Sequence, residues 1–233
     1  MSSPVTESHH RQISGGGFRA ALFGLSDGLV TNVSLILGFA GANPGHDIVR
    51  LAGLAGLVAG AFSMGSGEYL SMRAQKELYE HEIDVERRAL AAEPELERLE
   101  LRDIFLGRGI DSELAERLST DLMKNPDLAL RTHTREELGI DPSATGSPWM
   151  ASSYSFLMFS IGALIPLLPW LVTTTGNVVW WSIGVAAAAS LGVGAAVGLY
   201  THRGILFSAC RSFFIAALAS AVTFGVGVLV GAH

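Results

Sequence analysis

The chain has 233 residues, of which 49% are hydrophobic and 16% charged, with a formal net charge of −6. Soluble domains carry about 25% charged residues, and here the deficit is uneven: residues Arg73 to Ser147 are charge-dense, whereas long stretches outside them hold no charge. A wholly water-soluble fold is thereby excluded, two solvents are implied for one polypeptide, and the single cysteine, Cys210, excludes an intramolecular disulfide or a thiolate zinc cluster.

Residues 1–17 read as a polar, flexible tail. They lack the charged start, apolar core and cleavage site of a signal peptide, and the alternative that His9, His10 and the Gly15-Gly16-Gly17 run form a weak metal site is the less favoured reading. Five segments then approach the roughly 20 apolar residues that a membrane-crossing helix needs. They run from about Phe18 to Ala42, Ile48 to Met72, Trp149 to Val172, Val178 to Tyr200 and Ile205 to Ala232. Helices are expected because lipid offers no partner to a free backbone amide or carbonyl. The expected fold is therefore an all-α integral membrane protein. Its parts are the tail (1–17), spans one and two (18–72), an acidic helical domain (73–147) inserted between spans two and three, and spans three to five (148–233).

Basic residues set the expected orientation, since Lys and Arg favour the cytoplasmic side. With five spans, every Lys and Arg except Arg50 falls on the side of the N-terminus and the acidic domain. That side is predicted to be cytoplasmic, in a bacterial inner membrane or a vacuolar membrane. Span two carries Gly53, Gly56 and Gly60, and span four carries Gly184, Gly192, Gly194 and Gly198. Such residues allow close helix packing in lipid, within one chain or across a dimer seam.

Asp27 lies inside span one, and an ionisable group at membrane depth is costly and usually functional. Asn32 and Ser34 add oxygen atoms nearby. Glu68 stands four residues after Met64 on span two, so the two share a face. A carboxylate beside a thioether suits a borderline divalent metal better than calcium. Pro166 and Pro169 in span three are expected to kink or end that helix.

The acidic segment reads as short helices. Pro94 breaks or restarts the first, Asp111 or Ser112 caps one running to about Lys124, and Asn125-Pro126 starts another that stops at Gly139. Glu93, Glu97 and Glu100 share one face, as do Glu82 and Glu86. Like charges on a face repel unless a cation lies among them, and that cation is either a metal or the neighbouring Arg87, Arg88, Arg98 and Arg102. The segment has no Glu-x-x-His pair, against a di-iron oxidase, and no phosphate-binding loop. No nucleophile–base constellation is present, so no enzymatic activity is expected, and neither is a prosthetic group or a nucleic-acid partner.

Three runs, Asp27-Gly28-Leu29-Val30-Thr31-Asn32, Gly60 to Tyr69 and Glu136-Glu137-Leu138-Gly139, resemble the signature of the vacuolar iron transporter family. The likeness extends over nearly the whole chain from Phe18, including the two-plus-three division of spans. It implies a homodimeric exchanger of ferrous iron, in some members manganese, for protons. It also implies that Asp27 and Met64 line the path; Asn32 and Glu68, singled out from the residues themselves, are expected beside them. In the acidic domain it implies a metal site of Glu86, Glu97 and Glu100 on the first helices and Glu137 on the last. A fourth family glutamate falls at Ala89, for which Glu93 is the nearest substitute. His133 and Thr134 stand where plant members carry methionines. His133 is four residues from Glu137 and adds an imidazole that suits iron, manganese and zinc.

Overall fold

A computed structural model describes residues 16–139, 146–174 and 177–232. The proposed tail, residues 1–17, therefore lies almost wholly outside the described residues. Among those described there are eight helices and no strand. They are α1 (Gly16–Ala42), α2 (His46–Ala92), α3 (Pro94–Gly107), α4 (Ser112–Met123), α5 (Pro126–Glu136), α6 (Pro148–Val172), α7 (Val178–Tyr200) and α8 (Ile205–Gly231). Five of these, α1, α2, α6, α7 and α8, are long and apolar enough to cross a membrane. The chain separates into two compact units, Met1–Leu70 with Ser147–His233, and Ser71–Gly146.

The helix that carries the second apolar segment does not stop with it near Met72 but continues as one helix of 47 residues to Ala92. Nothing between Tyr69 and Ala92 breaks it: that stretch has no Gly or Pro. Arg73–Glu77 and Lys76–Glu80 form i,i+4 ion pairs along it, each worth about 0.3–0.5 kcal/mol on a helix surface. The stop comes at Glu93, whose φ of −135° and ψ of 54° leave the helical region, as the residue before a proline tends to do.

In the first unit α1 is the central helix. Half of its apolar window is buried, against 22% for α2 and 11% for α8. It packs chiefly on α6 and then on α8. Leu29, Val33 and Leu37 of α1 meet Ala186 of α7, while Ile36 meets Val49, Leu167, Trp170 and Val178. The α1–α6 contact is nearly backbone to backbone. A Cβ at Gly28 would lie 2.2 Å from the Phe159 carbonyl oxygen, and one at Gly162 would lie 2.2 Å from that of Leu25. The glycines of α2 work differently, since Gly53, Gly56 and Gly60 receive the side chains of Leu167, Leu35 and Phe159. On α7, Gly194 and Gly198 meet α8, whereas Gly184 and Gly192 have no atom of this kind within 4 Å.

Pro166 and Pro169 neither end nor interrupt α6, which runs on to Val172. Each removes one backbone donor, yet the region is supported from outside. The Ser182 hydroxyl of α7 donates to the Pro166 carbonyl at 2.6 Å, and the Asn32 amide of α1 donates to the Ala163 carbonyl at 2.6 Å.

In the second unit α3 and α4 close over Leu101, Phe105 and Ala115. Asp111 caps α4 by accepting from the Glu113 and Leu114 amides at 2.9 and 3.4 Å. Asn125 caps α5 by accepting from Asp127 and Leu128 at 3.1 and 3.2 Å, with Pro126 in the first turn. The last helix stops at Glu136, three residues before Gly139, which adopts φ +66°.

The tight α1–α6 contact yields a clear expectation. Gly162→Ala must push the two helices apart and should destabilise the protein by about 1–3 kcal/mol, the usual cost of overpacking. Gly184→Ala, with open space around it, should be neutral or slightly stabilising. Thermal unfolding in detergent measures both, and equal melting temperatures for the two variants would contradict the contact.

Candidate metal site

The second unit brings together residues from three helices. Glu86 sits near the end of α2, Glu97 one turn into α3, His133 near the end of α5, and Glu137 at that helix's C-cap. His133 is wholly buried and Glu86 nearly so. The His133 Nδ1 approaches Glu86 Oε1 at 3.2 Å and Glu97 Oε2 at 3.7 Å. Ligand-type atoms of Glu86, His133 and Glu137 all lie within 4.8 Å of one another.

These close approaches are not aligned hydrogen bonds. Glu86 Oε1 and both His133 ring nitrogens have no hydrogen-bond partner. A buried polar group left unpaired costs about 1–3 kcal/mol, so Glu86 Oε1 and the His133 nitrogen beside it mark a place built for something else. Nor do Arg87, Arg88, Arg98 and Arg102 supply the cation, among the described residues. Arg87 pairs with Asp84, and Arg88 donates to the Asp84 carbonyl at 3.1 Å. Arg98 pairs with Glu95 at 2.9 Å and Glu116 at 2.5 Å, and Arg102 with Asp103 at 2.8 Å and Glu116 at 3.6 Å. Of the four arginines offered by the sequence as internal cations, Arg87, Arg98 and Arg102 thus pair with other carboxylates and Arg88 with a backbone carbonyl.

The electrostatics follow from that arrangement. Burial, and then the charges of Glu137, Glu97 and Glu100, push the Glu86 carboxyl up to about 7. Burial also raises Glu97, with Glu100, Glu137 and Glu93 adding to it, and raises Glu137, with Glu100 adding to it. Burial lowers His133, against an opposing pull from Glu100, which favours the neutral imidazole that a metal requires. A divalent cation would relieve all of these costs at once. Imidazole with carboxylates is a donor set for borderline first-row metals.

The remaining acidic candidates stand further out. Glu100 is exposed on α3 and acts on the cluster through its charge. Glu93 is exposed at the start of α3 and influences Glu97. It does not join the triad of ligand atoms. Thr134 is buried, but its hydroxyl donates to the Leu130 and Arg131 carbonyls at 2.9 and 3.2 Å. Ala89, one turn after Glu86, supplies no donor atom.

The first unit places its candidates separately. Asp27 is half-buried on α1 and accepts from the Thr31 hydroxyl at 3.4 Å. Asn32 is wholly buried against α6, with its Oδ1 unpartnered. Five residues apart on a helix is about 140°, so Asn32 and Asp27 point in different directions. Met64 packs beside Ala61, Phe159 and Ala163. Glu68, one turn on, is half-buried.

The acid cluster has a pH signature. Glu86 is raised in the folded state from 4.5 to about 7. Its contribution to metal-free stability is therefore fully present below pH 4.5 and is lost as pH rises through about 7. Metal binding must displace that proton, so affinity for a divalent cation should fall by about tenfold per pH unit below 7. Calorimetry on the full chain from pH 5.5 to about 8 checks this, and Glu86→Gln should be weaker but flatter. A wild-type affinity that does not change with pH would contradict the site.

The VIT family matches residues 18–228. Vacuolar iron transporter 1 of Oryza sativa subsp. japonica is 32% identical over 97% of this chain and 92% of its own length. Vacuolar iron transporter 1 of Arabidopsis thaliana is 33% identical over 97% and 90%. The vacuolar iron transporter of Acanthamoeba castellanii is 34% identical over 96% and 82%. With the family match spanning almost the entire chain and five helices able to cross a membrane, this protein belongs to the VIT family.

Proposed function

We propose that this protein is a secondary transporter that moves ferrous iron, with manganese as a second cargo, out of the cytoplasm in exchange for protons. The observation that carries the reading is the convergence of unpartnered Glu86 and His133 atoms with Glu137, in a chain that also holds five apolar helices. The names of the relatives support iron as the cargo. The distribution of Lys and Arg supports a cytoplasmic N-terminus and a cytoplasmic Ser71–Gly146 unit. In that setting the acidic unit collects the cation from solution through Glu86, Glu97, His133 and Glu137, within the field of Glu93 and Glu100. Asp27, the carboxylate of α1, then alternates between metal and proton, and Met64, Glu68 and Asn32 complete the path. The working form is a homodimer in a vacuolar or bacterial inner membrane.

A second reading is a membrane-bound metal sensor or buffer. It is favoured by one observation: the ligand atoms of the acidic unit converge, while Asp27 hydrogen-bonds only to Thr31 among the described residues.

Flux into proteoliposomes under a fixed pH gradient separates the two. Asp27→Asn keeps the size and one oxygen but cannot titrate, so exchange should be abolished in a folded protein. Met64→Ala should reduce iron flux more than manganese flux, because the ligand lost is sulfur. Both variants should still bind metal at the acidic unit. Wild-type flux through folded Asp27→Asn would rule out this path, and metal binding by the wild type without any flux would leave the sensor reading.

A further inference from the structure

A second cluster of polar atoms lies in the first unit, where the α1–α2 turn meets the end of α6 and the start of α7. Asn43, His46, Trp170 and Asn177 line a cavity of about 310 Å³ there. The His46 Nε2 is 2.8 Å from the Thr173 carbonyl oxygen. A carbonyl only accepts, so this nitrogen carries a proton whether the ring is neutral or charged, and the tautomer follows from that contact. Nδ1 is then the one position at which the ring gains or loses charge. It is buried without a hydrogen-bond partner and lies 3.7 Å from Asp47 Oδ1. With Nδ1 bare, a lone pair faces a carboxylate, and a proton there turns the approach into an ion pair.

The surroundings contain little else that is charged. Ala40 and Asn43 belong to the α1 end, Trp170 and Thr173 to the α6 end, and Val178 and Val179 to the start of α7. Among the described residues the charged groups are Asp47 and Arg50, both in the first turns of α2, with an Arg50–Asp47 pair at 3.1 Å. The Trp170 ring stands 5.2 Å from the imidazole, and its Nε1 is buried without a partner.

We propose that His46 is a proton-binding site that fastens the start of α2 to the end of α6 when it is charged. The proton adds at Nδ1, pairs the ring with Asp47, and makes the bond from Nε2 to the Thr173 carbonyl charge-assisted, which shortens and strengthens it. Loss of the proton leaves only the neutral bond. The site stands independently of metal transport. Only the identity of the compartment that supplies the proton rests on the proposed orientation.

Trp170 reports the event, because a charged imidazole in ring contact quenches indole emission. Trp149, Trp180 and Trp181 are 70%, 71% and 68% exposed, so Trp149→Phe, Trp180→Phe and Trp181→Phe leave Trp170 as the sole indole; Trp180 also lines the cavity, and phenylalanine keeps an aromatic ring there. In this full-length background emission should rise with pH in one step. His46→Gln keeps an amide donor for Thr173 and should lose the step. Asp47→Asn removes the partner of the charged ring and should shift the midpoint to lower pH. Size-exclusion chromatography at both ends of the titration confirms folded protein. A flat emission in the parent, or an unchanged step in His46→Gln, would overturn the proposal. A midpoint unmoved by Asp47→Asn would overturn the pairing on which it is built.

Discussion

Hydrocarbon offers no partner to a backbone amide or carbonyl, and each one left open costs several kcal/mol. That constraint shapes the first unit. It makes every crossing segment a helix, and it explains why so many hydroxyls there donate to carbonyls. Ser66 returns to the Phe62 carbonyl at 2.6 Å, Ser190 to that of Ala186 at 2.8 Å, and Ser152 reaches across from α6 to that of Gly65 at 2.7 Å. It also explains how α6 survives two prolines: polar side chains of α1 and α7 support the carbonyls around the breaks. A proline that would mark a helix end in water is tolerated when neighbouring helices are this close.

The second unit obeys the opposite logic. Water is available there, and arginine could have neutralised the acid-rich faces. Instead Arg87, Arg98 and Arg102 bind an outer set of carboxylates, Asp84, Glu95, Asp103 and Glu116. The inner set is left around a buried neutral imidazole. Outer pairs of this exposed kind contribute little to stability, about 0–1 kcal/mol each. Their consequence is positional, because they keep positive charge away from the point where Glu86, His133 and Glu137 converge. The raised carboxyl of Glu86 is the electrostatic cost of that arrangement, and a cation or a proton offsets it.

Helix ends were legible wherever a side chain itself closes the backbone. Asp111 and Asn125 cap the helices that the sequence assigned to them. Reading failed where a boundary depends on solvent. The change from apolar to charged near Met72 looks like the end of a helix, but polarity changes only the surroundings of α2, and the backbone bonds continue. The glycine pattern was also read in part. Gly53, Gly56 and Gly60 are conspicuous by spacing, yet the tightest backbone approaches use other glycines: Gly28 and Gly162 between α1 and α6, and Gly227 of α8, where a Cβ would lie 1.9 Å from the Gly38 carbonyl oxygen of α1.

The sequence by itself determined the number of apolar helices, the charge-dense segment between the second and third, and the pool of metal-ligand residues. These are properties of composition, period and local capping, and they need no knowledge of what lies across the fold. Tertiary structure alone decided which members of the pool meet. Glu86 and His133 are separated by three helix boundaries, and their 3.2 Å approach exists only because α2, α3 and α5 fold back on one another. The same holds for His46, an unremarkable turn residue until the end of α6 supplies a carbonyl and an indole beside it. Long-range contact depends on the summed packing of every intervening element, and no local pattern of residues encodes that sum.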